Sequence, residues 1–402
     1  MCQGICMRKS VTLLLILVFL VAPSITTPLP VKAESKTIVV PDDYPTIQAA
    51  VGNASAGDTV FVKKGTYDVY SIGIAKPINL VGEDRDQTVI NGGRDQNKDK
   101  VYPIPWDLAA LEIYASNTAI SGFTLTNCFV AISVGFHLSL SSVEVTGNNF
   151  VGNNKGIDFS RGKYLDAENF IISDNTFANN TEAIDFDGTE SEISRNAISG
   201  NIYGMFMYEA KNVVVKDNRL VNNSFALTLQ GTSNIEVSKN IIAKSTRFSG
   251  SVVNQYSCGI EFRYYNDSIV HDNSIEENSV GIYFPNINAT GLVVSQGSGN
   301  LVYHNNFIDN VRNVNVTYQY RYNVASISNG ADIVSWDHHG IGNYWSDYDG
   351  QGNYVIDENN IDNFPLTQPV DISGTSTIIA VIAIATAVVA IFTGLIFYFR
   401  KR

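Results

Sequence analysis

A repeat of about 22 residues constrains this chain more than any other feature of its sequence. In each copy an aliphatic residue precedes an asparagine by three positions, and an aromatic or aliphatic residue follows that asparagine by two. The pattern occurs in VTGNNF, ISDNTF, ISRNAI, VKDNRL, VSKNII, VHDNSI and VYHNNF. The two widest spacings, 33 and 32 residues, correspond to one period plus an inserted loop. The repeated asparagines are Asn148, Asn175, Asn196, Asn218, Asn240, Asn273 and Asn305.

A small residue and a short alternating strand follow most copies, in GIDF, AIDF, GMFM, ALTL, GIEF and GIYF. Short strands separated by Asn and Gly at this period are typical of a solenoid. Leucine-rich repeats need a regular leucine ladder, which the sequence lacks, and propeller blades need about twice the period. The sequence therefore predicts an all-β parallel β-helix, in which equivalent residues of successive coils stack about 4.8 Å apart. Two inward columns form the predicted core: Phe150, Phe177, Ile198, Leu220, Ile242, Ile275 and Phe307, and Phe159, Phe186, Met207, Leu229, Phe262 and Phe284.

The asparagine column is interpreted as scaffold rather than as a functional site. Tight turns favour residues that tolerate left-handed backbone, and stacked amides bond from one coil to the next. Before the repeats, residues 46–54 predict a short amphipathic helix that caps the first coil and blocks edge pairing.

The two ends of the chain differ from the body in composition. Arg8 and Lys9 precede an apolar run at residues 11–21, which indicates a secretory signal peptide. Residues 378–399 carry no charged side chain and are long enough to cross a hydrocarbon core of about 30 Å. A basic tail follows at residues 400–402, on the cytoplasmic side. We therefore expect a single-pass protein of the cell membrane whose body faces the outside or the periplasm.

Charge and composition limit the partners. The 402 residues include 27 Lys and Arg against 39 Asp and Glu, a net charge of −12, which excludes nucleic acid as an expected partner. A hydrophobic fraction of 45% excludes intrinsic disorder. Cys128 and Cys258 are interpreted as small buried hydrophobes, although their pairing is left open. Candidate glycosylation sites begin at Asn53, Asn179, Asn222, Asn266, Asn288 and Asn315.

Three segments carry a resemblance to known proteins. PDDYPTIQAAV with the following AGDTVFVKKGTYDV resembles the start of pectin-lyase-like right-handed β-helix proteins, and the repeats resemble those of the carbohydrate-binding and sugar-hydrolysis group. GNYWSDYDG and YVIDENNIDNFPL resemble the tail of NosD-like proteins, which are periplasmic copper-binding β-helix proteins. The resemblance implies a right-handed parallel β-helix solenoid with an N-terminal helical cap. The same scaffold hosts lyases, hydrolases, adhesins and metal-delivery factors, so it leaves function open.

The predicted fold is this β-helix plus one C-terminal transmembrane helix. The expected domains are a signal peptide (1–33), an N-terminal cap with the first coils (34–116), β-helix repeats (117–335), a C-terminal cap (336–370), a linker (371–377), the transmembrane helix (378–399) and a cytoplasmic tail (400–402).

Candidate ligand-binding residues lie at outward positions of the repeat. The residue between two inward apolar positions points outward, which places Asp158 and Asp185 in one column and Asp187 and Tyr208 in the next. Later coils add Glu261 and Arg263. Stacked carboxylates beside aromatic rings suit sugars, either for binding or for acid–base cleavage, and a solvated polar surface is the alternative.

Metal binding has weaker support. The pair His338 and His339 is the candidate for copper, although adjacent residues on a strand point apart. A calcium site would draw on Asp347, Asp349, Asp357 and Asp362 in the C-terminal cap, for which a solvated cap is the alternative. No cofactor is required by the sequence.

Three functions remain open at this point. The first is an anchored, outward-facing β-helix that binds or organises envelope polysaccharide or glycoprotein. The second is a polysaccharide lyase or glycoside hydrolase that uses the outward acidic residues. The third is a NosD-like copper-binding maturation factor.

Overall fold

Short parallel strands separated by tight turns make up almost all of the computed structural model, which describes residues 35–93, 109–135, 138–160, 167–246, 257–285, 299–317 and 334–372. The predicted signal peptide and transmembrane segment lie outside these residues, as do Asn288 and the basic tail.

The strands of the N-terminal half are β1 Thr37–Val40, β2 Thr59–Val62, β3 Gly65–Asp68, β4 Ile72–Ile74, β5 Asn79–Gly82, β6 Thr88–Asn91, β7 Ala109–Ile113, β8 Ala119–Ser121, β9 Thr124–Thr126, β10 Val130–Val134, β11 Glu144–Thr146, β12 Asn149–Val151, β13 Lys155–Phe159, β14 Ile171–Ser173, β15 Thr176–Ala178 and β16 Glu182–Phe186. They continue with β17 Thr189–Ser194, β18 Ala197–Ser199, β19 Tyr203–Tyr208, β20 Lys211–Lys216, β21 Arg219–Val221, β22 Phe225–Ser238, β23 Ile241–Ala243, β24 Cys258–Asn266, β25 Ile269–His271, β26 Ser274–Glu276, β27 Ile282–Pro285, β28 Leu301–Tyr303, β29 Asn306–Ile308, β30 Val314–Thr317, β31 Tyr344–Trp345, β32 Tyr354–Asp357 and β33 Asn360–Asp362.

Each coil of the central repeats contributes three strand segments, and each segment pairs in parallel with its equivalent in the next coil. One sheet of 11 strands runs from β3 to β31, and the two other segments of each coil belong to a sheet of 20 strands. The long strand β22 supplies both of these segments in its coil, because it pairs with β19 and β20 on one side and with β24 and β25 on the other. The described residues therefore form the predicted parallel β-helix.

The predicted core columns are confirmed by the strand register. Phe150 pairs with Phe177, and the column continues through Ile198, Leu220, Ile242, Ile275 and Phe307. All of these side chains are buried. The rings of Phe150 and Phe177 stack with centroids 4.6 Å apart, because the coil spacing of the sheet matches the separation of offset aromatic rings.

The asparagine column forms a hydrogen-bonded ladder through the interior of the turns. The Asn175 backbone N–H donates to Asn196 Oδ1 at 3.0 Å, and Asn175 Nδ2 donates to Val145 O at 2.8 Å. The left-handed residue of each turn is the one before the asparagine, for example Asp174 with φ 59° and Asp217 with φ 55°. The amide is therefore free to bond along the coil axis while its neighbour makes the turn.

A second asparagine ladder, which was not predicted from the sequence, begins five residues after the first. It includes Asn153, Asn180, Asn201 and Asn223, and it resumes at Asn278 and Asn310. Ser245 occupies the intervening position. Its backbone N–H donates to Asn278 Oδ1 at 2.9 Å, but its buried hydroxyl has no hydrogen-bond partner among the described residues.

Both ends of the described β-helix are covered. The helix α1, Ile47–Asn53, confirms the predicted N-terminal cap: the Thr46 hydroxyl accepts from the Ala49 N–H at 3.2 Å, and Ile47, Ala50 and Val51 are buried. At the other end Trp345 stacks on Phe307 with centroids 4.2 Å apart. Cys128 and Cys258 are free and buried, as the sequence indicated.

The predicted fold needs one correction. Within the described residues α1 is only 7 residues long, and no helix there has the length and hydropathy to cross a membrane. The fold of this part of the chain is thus all-β with one short helix, and the expectation of a transmembrane helix as part of the fold is not retained.

Candidate functional site

The carboxylates expected on the outer face are in the predicted register but not in the predicted environment. Asp158 pairs with Asp185 across β13 and β16, and the column continues through Phe206, Thr228 and Glu261. Asp158 and Asp185 are each only 6% exposed and Glu261 is 1% exposed. The alternative of a solvated polar surface therefore does not hold for these three residues.

Lys155 explains why the carboxylates lie so close together. Its ammonium Nζ lies 2.5 Å from Asp185 Oδ2, 2.9 Å from Glu182 Oε2 and 3.6 Å from Asp158 Oδ2. Asp158 also accepts from the Ser160 hydroxyl at 2.8 Å. Burial alone would lower the pKa of Lys155, but the charges of Asp185 and Asp158 outweigh it and raise that pKa, so this side chain stays protonated.

Lys155 and Glu182 were not expected at the site, because residues three apart on a regular strand face opposite sides. The strand is irregular at its start. A Cβ added to Gly156 would lie 2.6 Å from Ala183 O and 3.0 Å from the Phe177 ring, so position 156 faces the core next to the inward Ile157. The repeated small residue before each alternating strand is the sequence signal for this irregularity.

Asp187 lies at the edge of the cluster and is not paired with Lys155. Burial, together with the charges of Asp185 and Asp158, raises the pKa of the Asp187 carboxyl to about 7. Two carboxylate oxygens, Asp185 Oδ1 and Asp187 Oδ1, are buried without a hydrogen-bond partner in the part of the chain that the structure describes. Unsatisfied buried acceptors are rare in native proteins, and both of these oxygens are enclosed by the protein.

Aromatic side chains continue the face on the next coils. Tyr203 stacks on Phe225 with centroids 5.1 Å apart and meets Phe206 edge-on at 6.3 Å. Tyr203, Phe206 and Tyr208 are partly exposed, whereas Phe225 is buried in a small apolar cluster separate from the main core. We call Tyr203, Phe206 and Tyr208 the aromatic patch, and Lys155, Asp158, Glu182, Asp185 and Asp187 the acidic cluster.

The remaining predicted pair, Glu261 and Arg263, forms a separate group. Arg263 Nη2 lies 2.7 Å from Glu261 Oε1, and the Thr228 hydroxyl donates to Glu261 Oε2 at 3.3 Å. Three coil steps of about 4.8 Å separate Glu261 from Asp185 in the shared column. The six predicted residues thus divide into the acidic cluster with its aromatic patch and a distant ion pair.

An open cleft of about 450 Å³ lies beside the chain segment that leaves the acidic cluster. Thr189, two residues after Asp187, is one of its lining residues, together with Ser139, Leu140, Ser141 and Glu168.

The histidines of the last coils are engaged with each other and with acids. His271 Nδ1 lies 2.6 Å from Asp272 Oδ2, and His304 Nδ1 hydrogen-bonds to the other oxygen of the same carboxylate. The rings of His338 and His339 lie 4.0 Å apart, although they were expected to point apart, because His339 adopts a left-handed φ of 50° in a turn.

The aspartates considered for calcium do not converge. Asp362 is fully buried and accepts from the Asn343 N–H at 2.7 Å and Trp345 Nε1 at 2.9 Å, so it ends the first asparagine ladder. Asp347 accepts from Tyr354, whereas Asp349 and Asp357 each bond within their own turn. These contacts are those of a structural cap.

The candidate glycosylation positions differ in accessibility. Asn53, Asn179, Asn222 and Asn266 are exposed, but Asn315 is only 8% exposed and accepts from Arg312 at 2.8 Å.

The family of this chain was identified by comparison with known proteins. The family described as periplasmic copper-binding protein (NosD) matches residues 51–247 and 160–350, which together span most of the chain. The chain belongs to the NosD family. This confirms the resemblance inferred from the repeats and the C-terminal segment. Comparison with curated proteins found no match.

Several solved structures are similar to this NosD-family chain. An alpha-1,3-glucanase catalytic domain is 10% identical with a TM-score of 0.44, over 69% of this chain and 60% of the other. This chain therefore spans less than two thirds of that domain. A mannuronic acid specific polysaccharide family 6 lyase from human gut microbiota is 15% identical with a TM-score of 0.45, over 71% of this chain and 78% of the other. Pectate lyase Pel9A is 14% identical with a TM-score of 0.39, over 68% and 73%.

The family description implies copper, but the donors that the structure describes do not fit this ion. Both His271 and His304 use Nδ1 to contact Asp272, and His271 Nε2 faces Glu236 at 3.4 Å. Burial raises the pKa of the Cys258 thiol, and no described set of three or more His, Cys, Asp or Glu side chains is arranged to hold a metal. We therefore assign no described residue to copper.

Proposed function

We propose that this NosD-family β-helix binds a glycan of the cell envelope, outside the cytoplasm, on the face formed by the acidic cluster and the aromatic patch. The observation that carries the proposal is that partly exposed aromatic rings lie one coil from the carboxylates of the acidic cluster. The family description, which places its members in the periplasm, supports the location.

Sugars match this combination of groups because they carry hydroxyl donors on a ring with apolar faces. A hydrogen bond to a charged group contributes roughly 1.5–3 kcal/mol, and a stacked aromatic contact adds roughly 0.5–1.5 kcal/mol. The coil spacing of about 4.8 Å is close to the length of one sugar residue, so a chain lying along the axis meets both kinds of group in succession.

Glycan cleavage is a second candidate, and the protonation of Asp187 favours it. A carboxyl group whose pKa is about 7 holds a proton near neutral pH and can donate it to a leaving oxygen, while Asp158 or Asp185 acts as base or nucleophile. Such an enzyme is a glycoside hydrolase or a polysaccharide lyase.

A single experiment separates these functions. The full chain is passed over immobilised neutral, acidic and amine-bearing polysaccharides, and both retention and new reducing or unsaturated ends are measured. Retention without new ends supports binding, and new ends that disappear in Asp187→Asn support cleavage.

Two variants and one control locate the site. Asp185→Asn and Tyr208→Ala are expected to weaken retention about tenfold, the loss of one charged hydrogen bond or one stacked ring. Asp309→Asn makes the same chemical change at an exposed turn and is expected to leave retention unchanged. Retention that is equal for the parent and both site variants, with unchanged melting curves, would refute this location.

A further inference from the structure

A second exposed aromatic ring, that of Tyr114, lies on the same face as the acidic cluster, on its N-terminal side. Tyr114 directly follows β7 and is 41% exposed. Its backbone N–H donates to Ile74 O at 2.9 Å, and the Gly135 N–H donates to Ile113 O at 2.8 Å. The parallel pairing of successive coils therefore continues through position 114, which fixes the place of Tyr114 on the sheet.

The strand register places Tyr114 and Tyr208 in one column that is parallel to the axis of the β-helix. The outward column that contains Asp158 runs from Glu112 to Phe206 in four coil steps. Tyr114 comes two residues after Glu112, and Tyr208 comes two residues after Phe206. Four steps of about 4.8 Å thus separate the two tyrosines, a distance of about 19 Å along the axis.

Two glycines make room for the Tyr114 ring on the outside of the sheet. A Cβ added to Gly135, on the following coil, would lie 2.4 Å from Tyr114 Cδ1. A Cβ added to Gly73, on the preceding coil, would lie 3.2 Å from Cε2 at the opposite edge of the ring. The ring therefore lies between two positions without side chains and is still partly open to solvent. A ring that is held in place in this way loses little freedom when a ligand stacks on it.

The positions between the two tyrosines in this column are small or polar. They are Gly135, Ser160 and Asp187. Ser160 and Asp187 are partly exposed. A chain-like ligand that lies along the column thus meets a ring, then polar groups, and then a second ring. We call the column from Tyr114 to Tyr208 the axial track.

We propose that the glycan lies along the axial track, parallel to the axis of the β-helix, and that Tyr114 is the stacking site at its far end. This inference rests on the proposed function, because it gives the length and direction of the glycan on the same face. One sugar residue is close in length to one coil step, so a chain of about five sugars contacts both tyrosines. A shorter chain contacts only one ring. The second ring strengthens the binding of a long chain, because the first contact already holds that chain nearby.

Oligosaccharide mixtures of graded length test this dependence on chain length. Partial acid hydrolysates of cellulose, chitosan and polygalacturonate, each with chains of about two to ten sugars, are incubated with the immobilised full chain. The retained oligosaccharides are then identified by mass spectrometry. We expect chains of about five or more sugars to be enriched about three- to tenfold over trisaccharides, which is the contribution of one additional stacked ring.

Variants assign this enrichment to the axial track. Tyr114→Ala is expected to abolish the enrichment of long chains and to leave the retention of trisaccharides unchanged, whereas Tyr114→Phe keeps the ring and the enrichment. Tyr208→Ala removes the ring at the other end and is expected to abolish the enrichment as well, so it remains informative if Tyr114→Ala does not fold. Tyr70→Ala is the matched control, because Tyr70 is 80% exposed but precedes β4, outside the column. Circular dichroism melts check that each variant is folded.

The outcomes separate this inference from the proposed function. Equal retention of short and long chains, or an enrichment that persists in folded Tyr114→Ala, overturns the axial track while glycan binding stands. Retention of a polysaccharide but of none of its oligosaccharides has the same meaning, because about five sugars should suffice. If no polysaccharide of any class is retained, the proposed function itself fails.

Discussion

Replacing Asn218 by alanine tests the hydrogen-bonded ladder on which the β-helix depends. Asn218 is 1% exposed. Its Oδ1 accepts from the Asn196 backbone N–H at 2.9 Å and from Asn196 Nδ2 at 3.0 Å. Its Nδ2 donates to Ile193 O at 2.8 Å and to Asn240 Oδ1 at 3.1 Å. The substitution removes all of these bonds and introduces no new donor or acceptor.

The expected loss of stability depends on which polar groups stay buried without a hydrogen-bond partner. Each hydrogen bond contributes about 1 kcal/mol net, and a buried group left without a partner costs roughly 1–3 kcal/mol. The Asn196 N–H loses its acceptor, whereas Asn196 Nδ2 keeps Ile172 O at 2.8 Å. We therefore expect Asn218→Ala to lower the free energy of unfolding by about 3–5 kcal/mol, which is large for a single substitution.

Urea denaturation followed by far-ultraviolet circular dichroism measures this loss. Asn149→Ala is the matched control, because the partly exposed Asn149 also hydrogen-bonds through its amide, to Asp86 at 2.9 Å, but on the surface. We expect the control to lose less than about 1 kcal/mol. A loss below about 1 kcal/mol for Asn218→Ala, or equal losses for both variants, would refute the argument that the ladder stabilises the coils.

Three further predictions concern the core, the second ladder and pH. Phe186 is fully buried, so Phe186→Asp places an unpaired charge in the core and should abolish cooperative unfolding. The control Phe186→Leu should retain a cooperative melt. A cooperative melt of the aspartate variant would show that Phe186 does not point into the core. Ser245→Asn should restore the second asparagine ladder next to Asn278 and so raise the free energy of unfolding by about 1 kcal/mol. An unchanged or lower urea midpoint would contradict this prediction. The pKa of the Asp187 carboxyl is about 7 in the folded state, above its ordinary value of 3.8. The folded state therefore binds this proton more tightly than the unfolded state does. The contribution of Asp187 to stability is lost as the pH rises from about 4 to about 7. Asp187→Asn should therefore match the parent in urea at pH 4 and exceed it by about 1–3 kcal/mol at pH 8, and identical stabilities at both pH values would count against the raised pKa.

Most of the scaffold could be predicted from the sequence, because a solenoid repeats one local pattern. The spacing from Asn148 to Asn305 placed each coil, and alternation within each strand placed Phe150 and Phe159 in the core. The N-terminal cap followed from the apolar face that ends in Val51. These features depend on residues that are close together in the chain, so they can be predicted directly from the periodicity of the sequence.

The candidate site was only partly predictable, because it depends on contacts between coils. The predicted pairing of Asp158 with Asp185 in one column is confirmed, but both side chains are buried, which the sequence did not indicate. Lys155 was missed because the irregular start of β13 turns position 156 inward, which a strict alternation does not allow. The contact of Lys155 with Asp185 spans 30 residues of sequence.

The sequence by itself thus determined the repeat, the core columns, the scaffold role of the asparagines and the family to which the chain belongs. Only the tertiary structure decided that Lys155 gathers Glu182 and Asp185 into one buried cluster and that Asp187 titrates near neutral pH. The physical reason is that burial and charge are properties of the packed assembly. A pKa depends on every group within a few ångströms, and residues from separate coils supply those groups.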